Sequence, residues 1–394
     1  MYPNSSSIAW RREPVVGYCP FFMRGLELDA FFPRHQIVLK VQGAQHRLYN
    51  TIYHLTQLRQ MESSEQGEGS GQEALISKVQ DSRKVKNVVF FLPYLNLIPN
   101  GPWWKPSYDE RDANYFVLSA KRHQHAILLT TNESDALLWK GYIDLHREHY
   151  LLECISAESN VDLTMDFIRQ VLKKPGILEL LLSWLCGKIF ASFFIPERSL
   201  RLNRKVKNMH DAIIDIFPSI FFPDLPIDQF TPSFAQQLHR QIGNELISNA
   251  GQYRTRHVMA AQENYVYMAP DLIEDKMNEL FCQCREKFGR TDLQLEEAIK
   301  YGACFLVYFL TIHPFINGNG RVVRLLLSYL LSKFTVVPLS LYTGSKTRDV
   351  YLQCLREARY QNPFNPGALA TFILECVYKT SYNMCVVMDI NIQS

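Results

Sequence analysis

The chain has 394 residues, 47% of them apolar and 21% charged, with a formal net charge of +3. Such a composition builds a sizeable core and excludes a disordered or collagen-like chain, and the length exceeds that of a usual single domain. The near-neutral balance lacks the basic footprint of a nucleic-acid binder, so no nucleic acid is expected. Nine cysteines are scattered without a CxxC pair, and MYPNSSSIAWRREP is too polar for a cleavable signal. A reducing, cytoplasmic home is therefore expected. Delivery into a host cell as an effector stays open, since such signals need not take that form.

Residues 1–18 read as loose. HRLYNTIYHLTQLRQM (46–61) has the spacing of an amphipathic helix, and SSEQGEGSGQ (63–72) reads as a turn or flexible loop. VKNVVFFLPYLNLIP (85–99) fits a short strand or a buried helix, and NGPWWKP (100–106) is a break. Mixed elements follow over 112–172, with helices expected near 134–152 and 161–173. ILELLLSWLCGKIFASFFI (177–195) is the most apolar run. Glu179 and Lys188 inside it favour a buried helix over a membrane span, and peripheral membrane contact stays open. The paired histidines His123/His125 and His146/His149 lack a completing carboxylate or thiol pattern and read as surface residues.

From residue 225 the punctuation becomes clear. Helices are expected over 226–246, 271–288 and 291–312, the last with Thr291 and Gln294 as a capping box. AGQYRTRHVMAAQENYVYMAP (250–270) reads as a hairpin. HPFINGNGR (313–321) then separates the 291–312 helix from VVRLLLSYLLSKF (322–334). Pro314 stops the first helix, and Gly318 and Gly320 free the backbone for close approach by a ligand. The next helix begins with unpaired N–H groups directed at the loop, an anion hole. Arg321 and Arg324 sit in its first turn, where cations oppose the helix dipole; a bound polyanion would account for them. An ordinary helix–helix turn with His313 capping a carbonyl remains the alternative on these residues alone. The glycine spacing is that of neither a P-loop nor a dinucleotide fold.

The nonapeptide resembles the signature of the Fic (filamentation induced by cAMP) family, HPFx[D/E]GNGRxxR. LHRQI with AGQYRTRHV (238–258) resembles the helix and lead into that family's flap, PDLIEDKMNEL the helix after the flap, and TRDVYLQCL (347–355) a later helix. The resemblance implies a mainly α-helical fold: a Fic-type helical core over 225–380 with a small β-hairpin flap. A mixed, mostly helical region over 1–224 would precede it, and a tail over 381–394 would follow. It also implies transfer of a nucleoside monophosphate, by family default AMP from ATP, to a Ser, Thr or Tyr hydroxyl of a target protein. His313 would be the general base. Gly318, Asn319, Gly320, Arg321 and Arg324 would bind the donor phosphates, and the target's hydroxyl-bearing loop would dock on the 254–268 hairpin. Relatives using UMP, GMP or phosphocholine, or removing AMP, keep the donor open, as does a weak or inactive binding module. A homodimer is also left open.

The departure is Asn317, where the family places the carboxylate that binds Mg2+; a neutral amide weakens a Mg2+ or Mn2+ site. Many such proteins carry an inhibitory [S/T]xxxE[G/N] motif. Ser64 with Glu68 fits its spelling, and Thr371 with Glu375 fits it less well.

Overall fold

The computed structural model describes residues 30–32, 37–39, 95–97, 111–131, 136–156, 163–173, 197–260, 265–341, 345–360 and 365–390. The chain divides into two compact units, Met1–Ser77 and Lys78–Ser394. In the first, strands β1 (Ala30–Phe32) and β2 (Ile37–Leu39) pair antiparallel, with Ala30 opposite Leu39. The readings of 46–61, 63–72, 100–106 and 177–195, and the Ser64/Glu68 motif, lie outside the described residues. Among the described residues no helix is long and apolar enough to cross a membrane.

The described part of the second unit is helical: α1 (Ala113–Thr131), α2 (Ala136–Ser156), α3 (Met165–Leu172), α4 (Glu197–Ile216), α5 (Pro232–Ile242), α6 (Ile273–Phe288), α7 (Leu295–Ile312), α8 (Asn319–Leu330), α9 (Ser345–Tyr360) and α10 (Gly367–Val387). Helices α7 and α8 form its centre. Every α8 residue but Gly320 is buried, which is the pattern of a helix covered on all sides. Gly302 lets the pair close up, since a Cβ there would stand 3.0 Å from a Leu327 methyl. Around them pack α2, α5, α6, α9 and α10, and α1 lies along α10. Phe116 meets Tyr378 edge-on at 5.1 Å, and His123 Nδ1 lies 3.3 Å from Ser381 Oγ.

Several sequence readings need correction. Helix α1 falls in the stretch expected to hold mixed elements, yet it is a continuous helix that Asp112 caps by accepting the Tyr115 N–H at 2.7 Å. Helix α7 starts at Leu295 with Gln294 as its N-cap and no side-chain cap bond, so the Thr291/Gln294 box is not formed. His123 is buried, and His146 lies between the rings of Tyr142 and Tyr150; neither is a surface residue. Among the described residues no cluster of three metal-ligating side chains occurs. Thr371 and Glu375 are both buried in α10.

The β-hairpin flap is the main correction. Residues 254–268 contain no described β-strand, only one isolated antiparallel bridge between Met259 and Val266. The reason lies in where the backbone groups go. The carbonyls of Arg256 and Met268, at the base of the segment, accept from the Arg254 guanidinium. Arg254 N–H donates to Pro314 O at 2.9 Å, and Met268 N–H to Thr311 O at 3.4 Å. Two bonds do cross the segment, Ala260 N–H to Tyr265 O at 3.0 Å and Tyr267 N–H to Val258 O at 3.2 Å, but the groups at its base are taken by the Arg254 side chain and by Thr311 and Pro314, so the pairing does not extend into strands.

Candidate active site

The α7–α8 loop is held by four side chains, each from a different place in the sequence. Helix α7 ends at His313, whose φ of 50° lies in the left-handed region. A residue with a Cβ is strained there by about 1–2 kcal/mol, and such strain persists only where surrounding contacts enforce it. Here the contacts are visible. His313 N–H closes the helix on Phe309 O at 2.9 Å, and its imidazole stacks on Tyr267 at 3.8 Å and 20°. The Arg359 guanidinium lies 5.8 Å from the Tyr267 ring centre and 5.2 Å from that of Tyr265. Ring and cation thus fix the plane of the histidine.

Arg254 is the second holder. It is 2% exposed, and it donates to His313 O at 2.8 Å, Ile312 O at 3.2 Å, Arg256 O at 2.9 Å and Met268 O. Its fork closes the C-terminus of α7 and ties both ends of the 254–268 segment to it. Burial pulls its pKa down to about 10, which leaves it cationic at neutral pH.

Asn319 is the third. Its Oδ1 accepts Phe315 N–H at 3.0 Å and its Nδ2 donates to Phe315 O at 2.8 Å, so the amide is used inside the loop. Its backbone N–H belongs to the first turn of α8, which has no intrahelical acceptor to offer. Asn319→Ala would leave both buried Phe315 groups unpaired, and a loss of roughly 2–3 kcal/mol is expected in chemical denaturation.

His239, on α5, is the fourth. Its ring stacks on Phe315 at 3.9 Å and 5°, its Nδ1 accepts Gly251 N–H at 2.8 Å, and its Nε2 lies 3.0 Å from Asn317 O. Burial lowers its pKa to about 4, and the Arg321 charge adds to this against the Asn317 bond. His146 is also lowered to about 4 by burial, while its Nε2 donates to Pro338 O at 3.1 Å. Both histidines are thus neutral in the fold and bind a proton more readily once it opens. Stability should therefore be full above pH 6.5 and decline as pH falls toward 4, by roughly 3 kcal/mol for each ring. Thermal midpoints across this range test it; His146→Gln should flatten the decline, and an equal slope in that variant would reject the assignment.

The remaining loop residues lie between these holders. Gly318, with φ of 80°, is the N-cap of α8. A Cβ there would stand 3.2 Å from Arg321 Nη2, so the buried Arg321 guanidinium lies against the glycine backbone. Asn317 is exposed, and its Oδ1 accepts Gly318 N–H at 2.7 Å. Arg324 turns elsewhere: its Nη2 donates to Cys154 O at 3.1 Å, at the C-terminal end of α2. The same helix bonds Ser328 through Tyr150 at 2.8 Å, and Glu153 accepts Leu341 N–H at 2.5 Å. The structure therefore gathers His313, Asn317 and Gly318 in one loop and Asn319, Gly320 and Arg321 in the first turn of α8, with Arg324 one turn away and engaged by α2. The roles of Arg254 and His239 were not legible: Arg254 appeared only within a motif leading to the flap, and His239 within LHRQI.

The Fic/DOC family model matches residues 229–331. A Fido domain-containing protein of Dictyostelium discoideum is 34% identical over 134 residues, which is 33% of this chain and 87% of that protein. The protein adenylyltransferase Fic of Nematostella vectensis is 26% identical over 175 residues, 44% of this chain and 35% of that one. The ribonucleoside-diphosphate reductase small chain of Ostreid herpesvirus 1 is 28% identical over 109 residues, 25% of this chain and 19% of that one, so this chain spans well under two thirds of the length of these last two relatives. The crystal structure of a Fic domain-containing signaling protein from Bacteroides thetaiotaomicron superposes with a TM-score of 0.51 at 18% identity, covering 72% of this chain and 98% of that one.

Proposed function

Since the chain belongs to the Fic/DOC family, we propose that it transfers a nucleoside monophosphate, with AMP from ATP as the leading donor, to a hydroxyl of a target protein. The observation that carries this reading is a strained, ring-clamped histidine, His313, placed five residues before a helix N-terminus whose first turn holds the buried Arg321. The target's hydroxyl gives its proton to the imidazole as its oxygen bonds to the α-phosphorus. The bond from that phosphorus to the β-phosphate bridge breaks, and pyrophosphate leaves. Arg321 and the N–H groups of the α8 first turn neutralise the departing charge. The target would present an extended stretch to the 254–268 segment, whose base Arg254 fixes beside the loop.

A protein-side Mg2+ site fits these residues poorly. Asn317 offers a neutral oxygen already shared with Gly318 N–H, and a hard cation favours charged oxygens. Any ion would arrive on the donor's phosphates. Asn317→Asp should accordingly lower the Mg2+ concentration for half-maximal transfer in a titration of initial rates, and an unchanged midpoint would show that position 317 does not meet the ion. The neutral Asn317 is also the one feature favouring a binding module without transfer.

The deciding experiment incubates the protein with labelled ATP, GTP, UTP, CTP or CDP-choline and cell lysate, beside His313→Ala. Label entering protein from ATP in the wild type alone is expected. Label from another donor would replace AMP, and no label from any donor would leave the binding module.

A further inference from the structure

We infer that His239 is a positioning residue that holds the Asn317–Gly318 peptide with its N–H turned toward the donor phosphates. The inference rests on the reading of 313–321 as a donor-binding loop and adds how that loop keeps its polarity.

The argument begins with the two nitrogens of the ring. Gly251 N–H can only donate, so Nδ1, 2.8 Å away, must be bare. The proton therefore sits on Nε2, which donates to Asn317 O at 3.0 Å. With both nitrogens engaged and the ring face laid on Phe315 at 3.9 Å, the imidazole has one tautomer and one orientation. In a planar trans peptide, carbonyl and N–H point in opposite directions. Drawing the Asn317 carbonyl toward His239 therefore sends the Gly318 N–H to the other side of the peptide. There it meets Asn317 Oδ1 at 2.7 Å.

That side-chain oxygen stands where a phosphate oxygen would stand. Asn317 is exposed, so its amide can swing out when a stronger acceptor arrives, and the N–H it releases passes to the ligand. A flip of the same peptide would be easy at a glycine, whose φ of 80° costs it little. Flipped, the Asn317 carbonyl would face the phosphates and repel them. The Nε2–H bond of His239 opposes that flip. The charge acting on the ring is that of Arg321, which lowers its basicity and so favours the neutral ring that this arrangement requires.

The test compares His239→Phe, which keeps a ring on Phe315 but removes both hydrogen bonds, with His239→Gln, which restores a donor. Binding of inorganic pyrophosphate and ATP is measured by calorimetry. The Phe variant should bind both about 10-fold more weakly, the value of one hydrogen bond to a charged oxygen, while kcat at saturating donor holds. The Gln variant should recover most of the affinity. In the ligand-free proteins, Gly318 amide exchange should accelerate in the Phe variant and not in distant α6. Nitrogen-15 spectra of the wild type should show His239 protonated on Nε2 alone. Equal pyrophosphate affinity in wild type and Phe variant, or a proton on Nδ1, would overturn the inference. A wild type that binds neither probe, with the tautomer as stated, would instead overturn the donor reading.

Discussion

His313→Ala should reduce transfer by about three orders of magnitude or more while donor affinity changes less than about threefold, the pattern expected when a base acting only on the attacking group is removed. The imidazole stacks on Tyr267 and lies at the end of α7, before the first turn of α8 rather than within it. Arg321→Ala should show the opposite split. Its guanidinium lies against Gly318 in that first turn, so its loss should weaken donor binding roughly 10- to 100-fold, as for a charge-assisted contact to phosphate. Donor affinities by calorimetry and single-turnover rates separate the two. Equal losses of affinity in both variants would mean that the roles are wrongly divided.

The largest loss of stability is expected at Arg254. Arg254→Met keeps much of the side-chain volume but leaves the carbonyls of Arg256, Met268, Ile312 and His313 without their shared donor. Losing four such bonds, one fully buried and three part-buried, should cost roughly 3–5 kcal/mol, which is roughly 10 °C in thermal midpoint for a unit of this size. Arg254→Lys should recover little, because a single ammonium cannot span acceptors on both sides of the 254–268 segment. A midpoint within about 2 °C of wild type in Arg254→Met would show that water or neighbouring groups replace the guanidinium.

How much of this was legible in the chain depends on how local each signal is. Helices α5 to α8 announce themselves through apolar spacing and through stops at Gly289 and Pro314. The nonapeptide could be read because proline, glycine and arginine lie in one run. Helix α1 was missed because its exposed face carries Leu118, Leu128 and Leu129, which blur the apolar stripe. The absent hairpin strands and the two anchoring residues share another cause. Arg254 bonds to residues about 59 positions away, and His239 bonds to Asn317, 78 positions away. No spacing rule reaches that far. His239 in particular looks like any histidine on the face of a helix until its two partners are seen.

The pairing of α1 with α10 has a practical consequence. The stretch that the family model matches, 229–331, ends before α9 and α10 begin. Helix α10 supplies one wall of α7, and α1 covers α10 in turn through Phe116 and His123. Arg324, inside the signature itself, is held by Cys154 O of α2. Excising the signature with its neighbouring helices would strip oily walls from the central pair and leave a buried cation bare. The chemistry of this chain is thus not a portable cassette: grafts or truncations that keep the motif should begin no later than residue 111 and run through α10.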